Sequence, residues 1–254
     1  MAQSGTNDGL TLRGITIGSG LPKICVPVMG AVESEVLSAA EGARLCNPDM
    51  VEWRIDHLHD LSQKNVDNIL GQLRQIFPHT PLLVTFRSKT EGGNRQLDQL
   101  SYVNLLSRII VSGQADLIDV ELFSGVMEQL VETAHRHGVA VVGSNHDLTH
   151  TPDEAELVGR MTQMVALGCD IPKIAVMPQS PQDVLILLSA TQIMKEQYPH
   201  VPVITMSMGR LGVISRMCGE LFGSAVTFAS AGQPSAPGQV PVKELREILK
   251  LLHG

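Results

Sequence analysis

Ile171-Pro-Lys-Ile-Ala-Val-Met-Pro-Gln-Ser180 is a short apolar run closed off by a proline near each end. Ile, Ala, Val and Met in close succession read as a strand buried on both faces, the pattern of a parallel sheet. Lys173 is out of place in such a strand, because a buried ammonium loses its hydration. Two readings stand for it. It can snorkel to solvent or pair with a carboxylate near a strand end, or it can serve as an amine that attacks a carbonyl and forms a Schiff base. Attack needs the neutral amine, of which a lysine in water supplies only about 0.04% at pH 7. Burial and cationic neighbours such as Arg54 are what the chain offers to favour it.

Working outward from this run, a rhythm appears. Short apolar strands are expected at 23–29, 50–56, 81–87, 115–122, 139–146, 171–177, 202–208 and 225–229. Helical spacing fills 34–45, 66–76, 101–111, 125–136, 152–167, 181–198, 212–221 and 242–252. Thr151-Pro-Asp-Glu and Ser180-Pro-Gln-Asp each read as a capping residue, a first-turn proline and acidic residues. Eight strands, each followed by a helix, make the count of an α/β protein of the (β/α)8 TIM barrel type. Residues 10–17 alternate apolar and polar around Arg13-Gly14, which adds an N-terminal β-hairpin. A doubly wound open sheet has a similar rhythm, but no Gly-x-Gly-x-x-Gly follows the first strand. With no break in composition, 1–254 reads as a single barrel domain.

Composition narrows the function. Of 254 residues, 43% are hydrophobic and 18% charged, and the formal charge is −7, which is globular and argues against a nucleic-acid surface. No apolar run reaches the ~18 residues of a membrane span, and the polar opening lacks a signal-peptide core, so no membrane association and a cytoplasmic location are expected. Cys25, Cys46, Cys169 and Cys218 show no paired spacing and read as reduced thiols.

In a barrel the chemistry gathers at the C-terminal ends of the strands. Glu52 and Arg54 stand i, i+2 on one face of the second strand. Arg87 ends the third, with Glu91-Gly92-Gly93 following, and His146 ends the fifth. Lys173 points into the interior from the sixth, and Arg216 lies in the first helical turns after the seventh. Residues 231–239, which include Ser235 and Gln239, are small and polar with two prolines and two glycines, a composition suited to a lid. Each residue has a plainer role available: an interior ion pair for Glu52 and Arg54, a hydrogen-bonded core histidine, arginines that cap strand ends. His57-Leu-His59 looks like a metal pair, but no third ligand converges, so no metal is expected. The stretch 207–212 suits a phosphate as well as a carboxylate held by Arg216.

Taken together, these segments resemble the type I 3-dehydroquinate dehydratases (3-dehydroquinases). The resemblance rests on Val51-Glu-Trp-Arg-Ile-Asp-His57, on Thr85-Phe-Arg-Ser88 with Glu91-Gly-Gly93, and on Asp119-Val-Glu-Leu-Phe123. It continues through Ser144-Asn-His-Asp147, Pro172-Lys-Ile-Ala175 and Ser207-Met-Gly-Arg-Leu-Gly-Val-Ile-Ser-Arg216 to Ser235-Ala-Pro-Gly-Gln239. It implies a homodimeric hydro-lyase that converts 3-dehydroquinate to 3-dehydroshikimate, in the shikimate pathway to the aromatic amino acids, with no metal or organic cofactor. By the same resemblance Lys173 forms the imine, His146 moves the protons and Glu91 orients His146. Arg216 holds the substrate carboxylate, and Glu52, Arg54, Arg87, Ser235 and Gln239 bind ring hydroxyls and close the lid. One departure stands out: many relatives have a serine in the first strand where this chain has Pro27, which offers neither hydroxyl nor N–H. Rival expectations are a class I aldolase acting on a phosphorylated sugar and an inactive barrel that senses sugar acids.

Overall fold

A computed structural model of the chain describes residues 9–232 and 236–253. Its barrel strands run in parallel: β3 (Lys23–Val28), β4 (Met50–Arg54), β5 (Leu82–Thr85), β6 (Leu117–Glu121), β7 (Ala140–Asp147), β8 (Ile171–Val176), β9 (Ile204–Ser207) and β10 (Val226–Ser230). From β3 to β9 each pairs with the next, and β10 returns to pair with β3. The last gap is bridged where Val203 meets Ser224, with the Ala225 N–H donating to the Val203 carbonyl at 2.8 Å. That contact curls the sheet round on itself and removes the open-sheet alternative.

Helices α1 (Glu33–Leu45), α2 (Gln63–Ile76), α3 (Gln99–Val111), α4 (Met127–Arg136), α5 (Glu154–Ala166), α6 (Pro181–Gln197), α7 (Gly209–Phe222) and α8 (Val242–His253) follow the strands. A two-residue strand β11 (Val240–Pro241) lies parallel to the end of β10. The α6 start is as expected, with Ser180 and Asp183 forming a capping box around Pro181. The α5 start is not. Asp153, rather than Thr151, caps that helix by accepting the Glu156 N–H at 2.8 Å. A carboxylate is both an acceptor and a negative charge for the helix N-terminus, so it outcompetes a hydroxyl two residues earlier.

Side-chain alternation divides the molecule into two cores. Val51 and Trp53 face outward and pack under the helices, whereas Met50, Glu52 and Arg54 face inward. The lower interior is apolar, with Cys25, Met50, Leu83, Leu117, Val142 and Ile171 among its members. Strands β1 (Leu10–Leu12) and β2 (Ile15–Ile17) form the expected hairpin, and Arg13 and Gly14 both take the positive φ of a tight two-residue turn. Leu10, Leu12 and Ile17 plug the lower mouth, and Arg13 anchors the hairpin on Asp116 at 2.7 Å. With the bottom sealed by hydrocarbon, the polar side chains are confined to the upper half.

Candidate active site

Lys173 is only 3% exposed and sits beside Ser144 across the β7–β8 ladder. Its ammonium lies 3.4 Å from Asp119, 3.7 Å from Glu52 and 4.7 Å from the centre of the Phe228 ring. The nearest charged groups are therefore carboxylates. Arg54, expected as the cationic neighbour, turns its guanidinium onto Asp56 in a forked pair at 2.8 and 2.9 Å. The aromatic face contributes attraction without a counter-charge.

His146 pairs with Ala175, two residues nearer the upper mouth than Lys173, so its backbone lies about 7 Å higher along the barrel wall. Its Nδ1 is 2.9 Å from Glu91 Oε2, and the same oxygen accepts the His146 backbone N–H at 3.0 Å. Glu91 reaches this position because the chain doubles back tightly after β5. Gly93 N–H bonds to the Ser88 carbonyl at 2.8 Å, and a Cβ on Gly93 would lie 1.9 Å from the Arg87 carbonyl oxygen. No other residue fits there. Burial holds the His146 imidazole well below its usual range, helped by the positive charges of Arg87, Lys173 and Arg54. Burial also pushes the Glu91 carboxyl up to about 7, against the pull of Arg87 and with a further push from Glu121 and Asp119. A neutral imidazole whose Nδ1–H donates a hydrogen bond to a carboxylate presents a basic Nε2.

Arg87 is the hub of the polar layer. It donates to Asp119 at 2.7 Å, to Glu121 and Ser144 at 2.9 Å each, and more loosely to Glu91 at 3.4 Å. Ser144 in turn donates to Asp119 at 2.6 Å. Burial alone would raise the Asp119 carboxyl, but Arg87, Lys173 and Ser144 hold it below the ordinary range. Asp119 and Glu121 were absent from the expected site, although their i, i+2 spacing after Leu117 puts all three on the inward face of β6, a legible signal.

Arg216 differs from the other arginines. It is 2% exposed, and among the described residues no carboxylate pairs with it. Its contacts are the Met206 sulfur at 3.6 Å and the Pro237 carbonyl at 3.2 Å, while its buried Nε has no partner. Burial pulls the guanidinium down to about 10, so it stays cationic at neutral pH. Gly212 lets α7 come this close, since a Cβ there would meet the Ser207 carbonyl at 2.3 Å.

These groups line one cavity of about 140 Å³. Lys173, His146, Glu91, Glu52, Arg54, Arg87 and Arg216 all reach it, and Pro237 and Gln239 border it from the expected lid. Ser235 lies outside the described residues. His57 stays apart, 2.8 Å from the Asn94 amide. Among the described residues no group of three metal-binding side chains assembles.

A barrel whose interior brings a primary amine, an imidazole–carboxylate pair and an unneutralised guanidinium into one cavity is built for chemistry on a carbonyl acid. The family model for type I 3-dehydroquinase matches residues 24–254. A 3-dehydroquinate dehydratase of Bacillus velezensis is 49% identical over 247 residues, covering 96% of this chain and 98% of that protein. The crystal structure of the type I 3-dehydroquinate dehydratase of Clostridium difficile, with covalently modified comenic acid, superposes with a TM-score of 0.93 at 46% identity, covering 96% of this chain and 97% of that one. That of the Geobacillus kaustophilus 3-dehydroquinate dehydratase gives 0.94 at 41%, covering 96% and 95%. The chain belongs to the type I 3-dehydroquinase family.

Proposed function

We propose that this chain dehydrates 3-dehydroquinate to 3-dehydroshikimate, the hydro-lyase step of the shikimate pathway to the aromatic amino acids, through an imine on Lys173. The observation that carries the reading is Arg216: a buried guanidinium with no carboxylate partner among the described residues faces the same cavity as Lys173 and His146. A cyclic keto acid answers all three, with its carboxylate on Arg216 and its ketone at Lys173.

In this reading the Lys173 amine adds to the ketone carbon, and water leaves to form the protonated imine. The imine draws electrons from the neighbouring carbon, and His146 Nε2 removes a proton there. The electron pair then returns through the enamine to expel the ring hydroxyl, to which His146 gives the proton back, so that water departs. Glu91 supports the imidazolium while it exists. Hydrolysis of the product imine restores the amine. Glu52, Arg54, Arg87, Ser235 and Gln239 would hold the ring hydroxyls, with residues 231–239 as the lid.

We also propose a homodimer acting in the cytoplasm. Leu185 of α6 and Leu211, Ile214 and Leu221 of α7, between 47% and 63% exposed, offer apolar surface to a second copy. The four free thiols suit a reducing compartment.

The test combines turnover with trapping. Added 3-dehydroquinate should yield the ultraviolet absorbance of the enone product, and borohydride should fix substrate mass onto the peptide carrying Lys173. Lys173→Ala should lose both signals, whereas His146→Ala should still form the adduct and stall. Full turnover by Lys173→Ala rejects the covalent route, and turnover of a phosphorylated sugar in place of 3-dehydroquinate rejects the substrate.

A further inference from the structure

Asn145 lies between Ser144 and His146 on β7, so its side chain leaves the strand on the opposite face and is buried against α5. Its Oδ1 accepts from Arg160 Nη1 at 2.6 Å, and its Nδ2 lies 3.3 Å from Glu91 Oε1. Only one orientation of the amide satisfies both neighbours, because a guanidinium only donates and an ionised carboxylate only accepts. Arg160 is itself held by Glu156 one turn earlier on α5 and by the Phe123 ring, 5.7 Å away. The result is a continuous chain from the surface of α5 through Asn145 and Glu91 to the His146 ring.

The two oxygens of Glu91 are served differently. Oε2 receives the His146 backbone and ring nitrogens and the looser Arg87 contact. Asn145 is the single donor to Oε1 among the described residues. The charged groups facing this carboxyl are Arg87 at the end of β5, Asp119 and Glu121 on β6, and His146 on β7. The two acids oppose its ionisation, while Arg87 and the Asn145 amide favour it.

We propose that Asn145, oriented by Arg160, is a positioning residue that keeps Glu91 ionised and aimed at His146. The inference rests on the acid–base roles proposed above for those two residues. Without the amide donor, Glu121 and Asp119 oppose ionisation of Glu91 with less to offset them, Glu91 holds its proton to higher pH, and His146 loses an ionised acceptor.

Asn145→Asp is the sharpest test, since it keeps the acceptor for Arg160, removes the donor to Glu91 and adds a negative charge. The ionisation of Glu91 is read in the resting enzyme from infrared carboxyl bands, assigned by subtraction of Glu91→Gln. The kcat–pH profile is read in parallel. In Asn145→Asp the Glu91 midpoint and the acid limb of kcat should both move up by about one unit or more. Borohydride trapping on Lys173 should persist. Arg160→Met should shift both in the same direction by less, and Arg160→Lys should restore them in part; these two carry the test if Asn145→Asp does not fold. Unmoved midpoints in Asn145→Asp, or in Arg160→Met, overturn the inference. A Glu91→Gln enzyme with the parent's pH profile would instead remove the acid–base reading on which it depends.

Discussion

Glu91 Oε2 accepts both the ring Nδ1–H and the backbone N–H of His146, at 2.9 and 3.0 Å. One carboxylate oxygen thus sets the rotation of the imidazole and its tautomer together, and leaves Nε2 as the reactive nitrogen.

The acid limb of activity should follow Glu91. With burial holding this carboxyl up to about 7 and His146 well below its ordinary value, kcat/KM should rise with pH through about 7. Glu91→Gln should flatten that limb, with a loss smaller than the roughly 10²–10⁴-fold contributed by an acid–base group itself. A pH–rate series on both enzymes is the measurement. Stability runs the other way. Between the ordinary 4.5 and about 7 the folded chain keeps a proton that the unfolded chain has lost. Glu91 therefore contributes stability that is full below 4.5 and declines as pH rises through 7. Melting curves should show that decline reduced in Glu91→Gln.

Arg216→Met should separate binding from folding. Loss of charge-assisted hydrogen bonds to a carboxylate costs about 1.5–3 kcal/mol, so KM should rise roughly 10- to 150-fold. Because the guanidinium lacks a carboxylate partner among the described residues, its removal should leave Tm unchanged or raised. Steady-state kinetics beside a thermal melt decide both halves.

Arg87→Met should do the reverse. It strips the cation from buried Asp119 and Glu121, and breaking such a network typically costs about 3–5 kcal/mol. Denaturant unfolding should show that loss, and Arg87→Lys should recover only part of it, since one ammonium cannot reproduce the forked geometry.

Pro27 faces inward beside Glu52 on the β3–β4 ladder. Pro27→Ser adds a hydroxyl at this inward-facing position. A new hydrogen bond of about 0.5–1.5 kcal/mol should lower KM by roughly 2- to 12-fold. Relief of the proline constraint in the unfolded chain should cost up to about 1 kcal/mol of stability. An unchanged KM shows that substrate does not use this position.

Much of the site could be read from spacing. Glu52, Arg54 and Lys173 face inward because strand alternation puts them there, and the apolar sequence around each marks the strand. Glu91 was legible as a loop residue, but its approach to His146 depends on a turn so close that Gly93 admits no side chain. Which groups would surround Lys173 is not legible in this way. Arg54 is near in sequence logic, yet its local fork with Asp56 holds it, and Asp119 of β6 comes within 3.4 Å instead.

What the linear order of residues determined was the alternation of strand and helix, the inward face of every strand and the roster of reactive groups. These follow from local rules of period two and period 3.6, which need no knowledge of distant contacts. Which cation meets which carboxylate was left to the closed barrel. Arg87 gathers Asp119, Glu121 and Ser144 from neighbouring strands, while Arg216 is left without a carboxylate among the described residues. Such pairings depend on strand stagger and helix approach at ångström scale, where Coulomb and hydrogen-bond energies change steeply with distance.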